Sequence, residues 1–461
     1  MSSERNENEH LPSTTRPGPL SGIRVIDVGT RISAPFCAGL LGELGADVIK
    51  VELPGQGDFM RTMGPFISSN DRSNKNPSSD ENSNDDSGGA GGASRAGDDC
   101  EGGAQVPNSD EPYSLSWSVE GRGRRGVTCD LRHPDGKQLF KRLLQHADVI
   151  CENFRPGTME KWGLGPNDLD PSLVYVRISV FGQSGPYSPR PGLDRLGIAY
   201  GGLLHLTGDP DRPPVRPGVT VSDYLTGVFA AFAAVAGLYG RDVNFSSQDS
   251  GTKPRNGVVI DAPLYGAVLR ILEWTLAAYD RLGIVREREG NRLGHSAPLD
   301  NYLSADGQYV CIVAGSDANY ARLCRAMQRQ DLISDPRFVT LAERANHSAE
   351  INGIVANWAN ELPAAEIERR CIAHDVPVGT AYSAADIFSD PHILDRGDLV
   401  SVDDPVIGAV RQQAPFPRLV GQTPLVPSGA PLLGQHNHEI WCDLIGLSEV
   451  ELEDLKTKGV I

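Results

Sequence analysis

The chain has 461 residues and a net charge of −17. Its length exceeds that of a usual single domain, so two domains are expected. The acidic balance excludes nucleic acid as a general partner, because phosphate binding needs a basic surface. Eight widely scattered cysteines form no C-x-x-C pair, which points to reduced, structural thiols. The sequence His436-Asn-His438 is not backed by a Cys or carboxylate at ligand spacing, so no metal is expected.

The N-terminus from Met1 to His10 is too acidic and too polar for a presequence, and Lys458-Gly-Val-Ile461 is no known address tag. A cytoplasmic protein is therefore expected. The longest apolar run, Gly227 to Tyr239, is short and rich in Ala and Gly. It predicts a buried helix and no membrane span.

Along the chain, residues 1–18 read as a disordered tail. Val25, Ile26 and Val28 predict a strand, and Pro35 suits the first turn of a helix. Phe36, Leu40, Leu41 and Leu44 then recur at helical spacing, Gly45 ends the helix, and Val48, Ile49 and Val51 begin a second strand. That is a βαβ unit.

Residues 68–111 hold ten acids and three bases among Ser, Asn and Gly. Such a segment cannot bury enough surface to offset its ordering entropy, and predicts a disordered insertion. Beyond it, Gly126–Leu131, Ala147–Glu152 and Leu173–Val180 read as strands, with an amphipathic helix over 133–146. The alternation predicts an α/β fold around a parallel sheet.

A polar break follows at 244–256, then a strand at 257–262, a long helix from Pro263, and mixed α and β structure to about 405. The C-terminal segment predicts a loop and two helices, the second opened by a Ser448/Glu451 capping box. Two local features stay open on their residues alone. Asp223, before an apolar helix at 224–240, is either a helix cap or a functional carboxylate. The cluster Arg122-Gly-Arg-Arg125 is either a phosphate contact or a solvated basic turn.

The order and spacing of several segments resemble the class III CoA transferases, the CaiB/BaiF family. They are Leu44-Gly-Ala-Asp-Val-Ile-Lys-Val-Glu52 with Pro54-Gly55 and Gly57-Asp58, then Asp148-Val-Ile-Cys-Glu-Asn-Phe-Arg-Pro-Gly157, and Ile178-Ser-Val-Phe-Gly-Gln-Ser-Gly-Pro-Tyr187. Asp194, Ser222-Asp-Tyr-Leu-Thr-Gly227 and Leu433-Gly-Gln-His436 continue the series.

The resemblance implies a large Rossmann-like CoA-binding domain, formed by residues 19–245 and 405–461, plus a smaller central α+β domain over 257–400 with linkers, in an interlocked homodimer. It implies transfer of CoA from an acyl-CoA to a small carboxylic acid, with no permanently bound cofactor. Asp223 would be the covalent nucleophile, forming a mixed anhydride and then an aspartyl-CoA thioester, and a helix start is expected to hold it ionised. The CoA contacts would be Ser33, Ala34, Arg132, Asn153, Phe154, Arg155 and Lys161. Leu53 stands where the family often has a base.

The resemblance also admits an α-methylacyl-CoA racemase or a catalytically silent CoA-binding protein. Racemases of this fold carry His before the Asp matched here by Asp194; this chain has Leu193. For a distal substrate carboxylate, Arg292 and His295 are candidates.

Overall fold

The computed structural model describes residues 18–68, 111–246, 256–422 and 425–461. The expected tail, the expected insertion and most of the polar break at 244–256 lie outside the described residues. The described chain forms two compact units. One takes residues up to 201, 220–271 and 397–461, and the other takes 202–219 and 272–396.

The larger unit is built on six parallel strands: β1 (Arg24–Asp27), β2 (Asp47–Glu52), β3 (Arg125–Thr128), β4 (Val149–Glu152), β5 (Val174–Ser179) and β6 (Val259–Pro263). Their order is β3-β2-β1-β4-β5-β6. This is the doubly wound dinucleotide-fold order, which reverses between β1 and β4 and opens a crevice at the carboxyl ends of those strands. Five helices of the unit bear on the site: α1 (Ser33–Glu43), α2 (Leu115–Glu120), α3 (Pro134–Leu144), α4 (Asp194–Tyr200) and α5 (Val221–Ser246).

Successive strand residues face opposite sides, which is why these short strands are apolar throughout. Val25, Val149 and Cys151 pack with Ala34 and Leu41 of α1 and Ala230, Ala234 and Leu238 of α5. Ile26, Ile49, Val127 and Ile150 pack instead with Leu139, Phe140 and Leu143 of α3 and with Ile440, Trp441 and Val460 near the C-terminus. Each large apolar side chain so buried contributes about 1.5–3 kcal/mol. The Asp130 amide donates to the Val460 carbonyl at 2.8 Å, tying the chain's end to the segment after β3.

Three sequence expectations change here. The strand Val259–Pro263 pairs with β5 in the large sheet, so the expected small-domain start at 257 falls inside the larger unit. The helix from Pro263 stops at Arg270 and resumes as Thr275–Leu282. The helix α5 is buried on one face only: Phe232 is 73% and Tyr239 71% exposed, and the stretch Val221–Val243 is long and apolar enough, by length and composition, to cross a membrane. The Ser448/Glu451 capping box forms as expected, with both reciprocal bonds present.

The second unit carries an antiparallel sheet of Leu299–Leu303, Tyr309–Val313 and Val378–Thr380, with the middle one central. Its core gathers Tyr302, Val310, Ile312, Phe338, Ile351 and Ile367. Arg344 is fully buried there and donates to the carbonyls of Ala297, Phe338 and Gly315 at 2.8–3.0 Å, which keeps its charge hydrogen-bonded inside an apolar cluster.

Candidate active site

The loop from β1 to α1 lies at the point where strand order reverses. Asn153, just past β4, accepts from the Thr30 amide at 2.8 Å and donates to the Thr30 carbonyl at 2.7 Å and to Ser33 Oγ at 3.2 Å. The Ser33 side chain also neighbours Asp223 and favours its charged form. A hydrogen-bonded line thus runs from the switch-point loop through Asn153 to Ser33, beside the expected nucleophile. It assigns Ser33 and Asn153 side chains to that line. Ala34 is fully buried, backbone included, so its expected contact with CoA is not exposed in this structure.

Asp223 is the third residue of α5, which starts at Val221 rather than 224, so it lies within the first turn and is not the cap. The neighbouring Ser222 amide and hydroxyl both donate to Asp194 Oδ1 at 2.9 Å, so Asp194 from α4 satisfies an amide that the helix start leaves open. Burial, and secondly the Asp194 charge, push Asp223 up to about 7. The neighbouring Ser33 hydroxyl and the charge of Arg31 act the other way without prevailing. Burial and the Asp194 charge thus work against the helix start expected to hold this carboxylate ionised near neutral pH. Next along α5, Tyr224 donates to Glu120 of α2 at 2.7 Å and meets the Phe36 ring edge-on at 4.8 Å between centroids.

A buried ionic cluster braces the loop. Lys50 of β2 lies 2.8 Å from Asp58 and 3.5 Å from Asp27, and donates to the Gly29 carbonyl. Arg124 lies 3.0 Å from Asp27 and donates to the Pro35 carbonyl at 2.6 Å, reaching the first turn of α1. Arg122 and Arg125 are held by Glu43 and by Asp47 and Glu439. The basic cluster 122–125 is thus engaged in structural ion pairs, which fits neither of its two open readings, a phosphate contact or a solvated basic turn.

Two cavities open at the strand ends. One, of about 400 Å³, is lined by Thr30, Leu53, Asp58, Arg132, Phe154 and Trp162 among others. The other, of about 490 Å³, is lined by Asn153, Phe154, Arg155, Ser179, Arg190 and Leu193 among others. Phe154 borders both, and its ring stands 5.2 Å from that of Trp162. Flat apolar walls beside cations suit an adenine and its phosphates. Arg132 is 60% exposed and paired with Asp130 at 2.8 Å, and Arg155 is exposed. Lys161, exposed at the end of the short helix Thr158–Lys161, lines neither cavity, and neither does Asp223.

Sequence reasoning missed Arg31, Lys50 and Glu120 as neighbours of the site. A basic residue between Gly29 and Pro35 was the available signal for the first. Lys50 sits mid-strand among Val and Ile, where a charge predicts a buried partner. It also missed that His438, Cys442 and Glu449 bring ligand atoms within 4.8 Å of one another. In that group His438 Nε2 and Glu449 Oε1 are already hydrogen-bonded at 2.5 Å. As for the candidates for a distal carboxylate, Arg292 is paired with Asp300 at 2.9 Å in the second unit.

The chain matches the CoA-transferase family III model over residues 20–83 and 94–437. It belongs to that family, and is a class III CoA-transferase. It is similar to the succinyl-CoA–D-citramalate CoA-transferase of Chloroflexus aurantiacus, at 37% identity over 454 residues, covering 98% of this chain and 100% of the relative. It is also similar to the succinyl-CoA:glutarate CoA-transferase of Mus musculus, at 30% identity over 454 residues, covering 96% of this chain and 90% of that one. Among solved structures it resembles a CaiB/BaiF family protein from Brucella suis, with a TM-score of 0.74 and 28% identity, covering 93% of this chain and 100% of that one.

Proposed function

We propose that the enzyme moves CoA from succinyl-CoA, or a related dicarboxylic monothioester, to a carboxylic acid through Asp223. The observation that carries this reading is the close packing of α5 on the first turn of α1, where a β-carbon on Gly227 would stand 3.0 Å from the Ser33 carbonyl oxygen. One turn back on the same face, Asp223 is set beside the switch-point loop that Asn153 and Ser33 hold. The relatives named for succinyl-CoA support the donor class.

In the proposed sequence the ionised Asp223 oxygen attacks the thioester carbonyl, and the C–S bond breaks to give a mixed anhydride and CoA thiolate. The thiolate attacks the aspartyl carbonyl, releasing the donor's carboxylate and leaving an aspartyl-CoA thioester. The acceptor carboxylate attacks that thioester, and the returning thiolate then takes the new acyl group and frees Asp223. Every bond broken is matched by one formed, so the chemistry needs no bound cofactor. The Ser33 amide at the amino end of α1 has no acceptor within its own helix, and the positive end of that helix favours the negative charge that develops beside it.

In this reading CoA lies along the strand-end cavities, with Phe154 and Trp162 against its adenine and Arg132, Arg155 and Lys161 near its phosphates. The enzyme acts as a cytoplasmic, interlocked homodimer whose large domain takes both chain ends. The exposed apolar face of α5, with Phe232 and Tyr239, supports a second copy as its cover. A racemase would need a proton-carrying group before Asp194, and Leu193 has none. Incubation of the pure enzyme with succinyl-CoA and a panel of acids, read by mass spectrometry, tests the reading. New acyl-CoA species are expected, with no exchange of an α-proton in deuterium oxide; turnover of no donor, or α-proton exchange alone, would overturn it.

A further inference from the structure

Arg31 stands in a conformation that a side-chain-bearing residue rarely adopts, with φ at 66°. Such strain persists only where the surroundings enforce it, and it gathers at functional sites. Here one buried carboxylate enforces it. Asp58 Oδ1 accepts from the Arg31 amide at 3.1 Å and from the Met60 amide at 2.9 Å, and Asp58 is anchored by Lys50. The same group therefore fixes the turn Phe59–Thr62, and the Arg31 guanidinium carbon lies 3.8 Å from the Phe59 ring centroid.

The stack leaves the guanidinium's hydrogen-bonding edge unspent. Arg24, Arg61, Arg124, Arg125 and Arg177 of the same unit each pair with a carboxylate. Among the described residues, the half-buried Arg31 guanidinium pairs with none within ion-pair distance. Its position matters. Ser33 is two residues on, so their α-carbons are at most about 7 Å apart. The Ser33 carbonyl packs against α5 at Gly227, one turn from Asp223, on whose carboxylate the Arg31 charge acts. The phosphates of CoA are separated from its sulfur by the whole pantetheine arm, so an anion held beside the nucleophile belongs to the acyl side.

We propose that Arg31, held flat by Phe59, binds the free carboxylate of a dicarboxylic acyl group and so sets the substrate class of the enzyme. A planar guanidinium presents two parallel N–H donors to a carboxylate, a geometry that lysine cannot match. The proposal rests on the transferase reading above, with Asp223 as the acceptor of the acyl carbon.

The test compares succinyl-CoA with butyryl-CoA, which has the same chain length without the second carboxylate, in wild type and in Arg31→Gln and Arg31→Lys. Measured at about pH 8.5, where Asp223 is ionised, the preference for succinyl-CoA over butyryl-CoA in kcat/KM should fall about 100-fold in Arg31→Gln. Any loss through Asp223 is shared by both donors and cancels in that ratio. Arg31→Lys, which keeps the charge and loses the fork, should fall between wild type and Arg31→Gln.

Free CoA should bind all three proteins alike; weaker binding to the variants would assign Arg31 to a phosphate and overturn the proposal. An equal loss for both donors would reduce Arg31 to support of Asp223, and also overturn it. The wild type alone gives a second check, since succinate should inhibit more strongly than butyrate; equal inhibition counts against the proposal. A wild type that moves CoA from neither donor overturns the transferase reading itself. One that transfers well from both without preference overturns only the role of Arg31.

Discussion

Gly227 meets Phe36 where α5 crosses α1: a β-carbon on Gly227 would stand 2.9 Å from Phe36 Cδ1 and 3.0 Å from the Ser33 carbonyl oxygen. Gly227 lies one helical turn beyond Asp223, on the same face of α5. The glycine's missing side chain is thus what lets α5 close onto the first turn of α1 and brings Asp223 beside Ser33. The D-x-x-x-G pattern has a packing cause as well as a chemical one.

Gly227→Ala should therefore lower kcat more than it lowers stability. Backbone at 3.0 Å cannot yield as a flexible side chain can, so the helices must separate by some tenths of an ångström. A rate loss of roughly 10- to 100-fold is expected from such a displacement of the nucleophile. A steady-state comparison with wild type checks it, and unchanged kcat would remove the packing argument.

Asp223 titrating at about 7 gives a pH dependence of definite sign. Only the ionised carboxylate attacks, so kcat/KM should rise about tenfold per pH unit below 7 and level off above it. The stability effect runs the other way. The folded-state pKa is raised above the unfolded value, so Asp223 favours folding at low pH and loses that contribution as pH climbs through 7. Asp223→Asn should accordingly gain in melting temperature relative to wild type between about pH 4 and 7, with no further gain above. Melting curves at pH 5 and pH 8 measure it; a constant difference would mean that Asp223 is not desolvated.

Ser33→Ala removes one of the two influences that hold the Asp223 pKa down. The acid limb of the kcat/KM profile should move to higher pH by about one unit or less. A merely structural role for Ser33 would lower the plateau and leave the limb where it is.

Much of this fold is legible in the amino-acid sequence. The apolar runs at Val25, Val48, Val149 and Val174 lie in strands because a sheet covered on both faces needs no polar alternation, and Ser448 with Glu451 closes its capping box. Strand order is not legible that way, since nothing local to β3 says that it pairs with β2 rather than with β4.

The site divides similarly. Asp223, Ser33 and Asn153 are singled out by the family resemblance, whereas the bond from Asn153 to Ser33 and the meeting of α5 with α1 at Gly227 are visible only in the fold. The basic run at 122–125 misled because a one-dimensional reading sees charges and not the acids, Asp27, Asp47 and Glu439, that fold onto them. The shifted Asp223 pKa was equally hidden, because Asp194 lies 29 positions earlier in the chain.

Lys50→Met tests the bracing of the β1–α1 loop. Removing one partner of a buried ionic cluster leaves Asp27 and Asp58 poorly compensated, and a loss of about 3–5 kcal/mol is expected. A urea denaturation midpoint reports it. A loss below about 1 kcal/mol would mean that water or rearrangement compensates the two acids.

The central claim is that Asp223 becomes covalently acylated and then carries CoA. Wild type and Asp223→Asn should be incubated with succinyl-CoA, quenched with hydroxylamine, digested and read by mass spectrometry. The account predicts a hydroxamate on Asp223 in wild type, no adduct at 223 in the variant, and a fall of several orders of magnitude in the variant's rate. An adduct on any other residue, or wild-type turnover by the Asn variant with deamidation excluded, would contradict it.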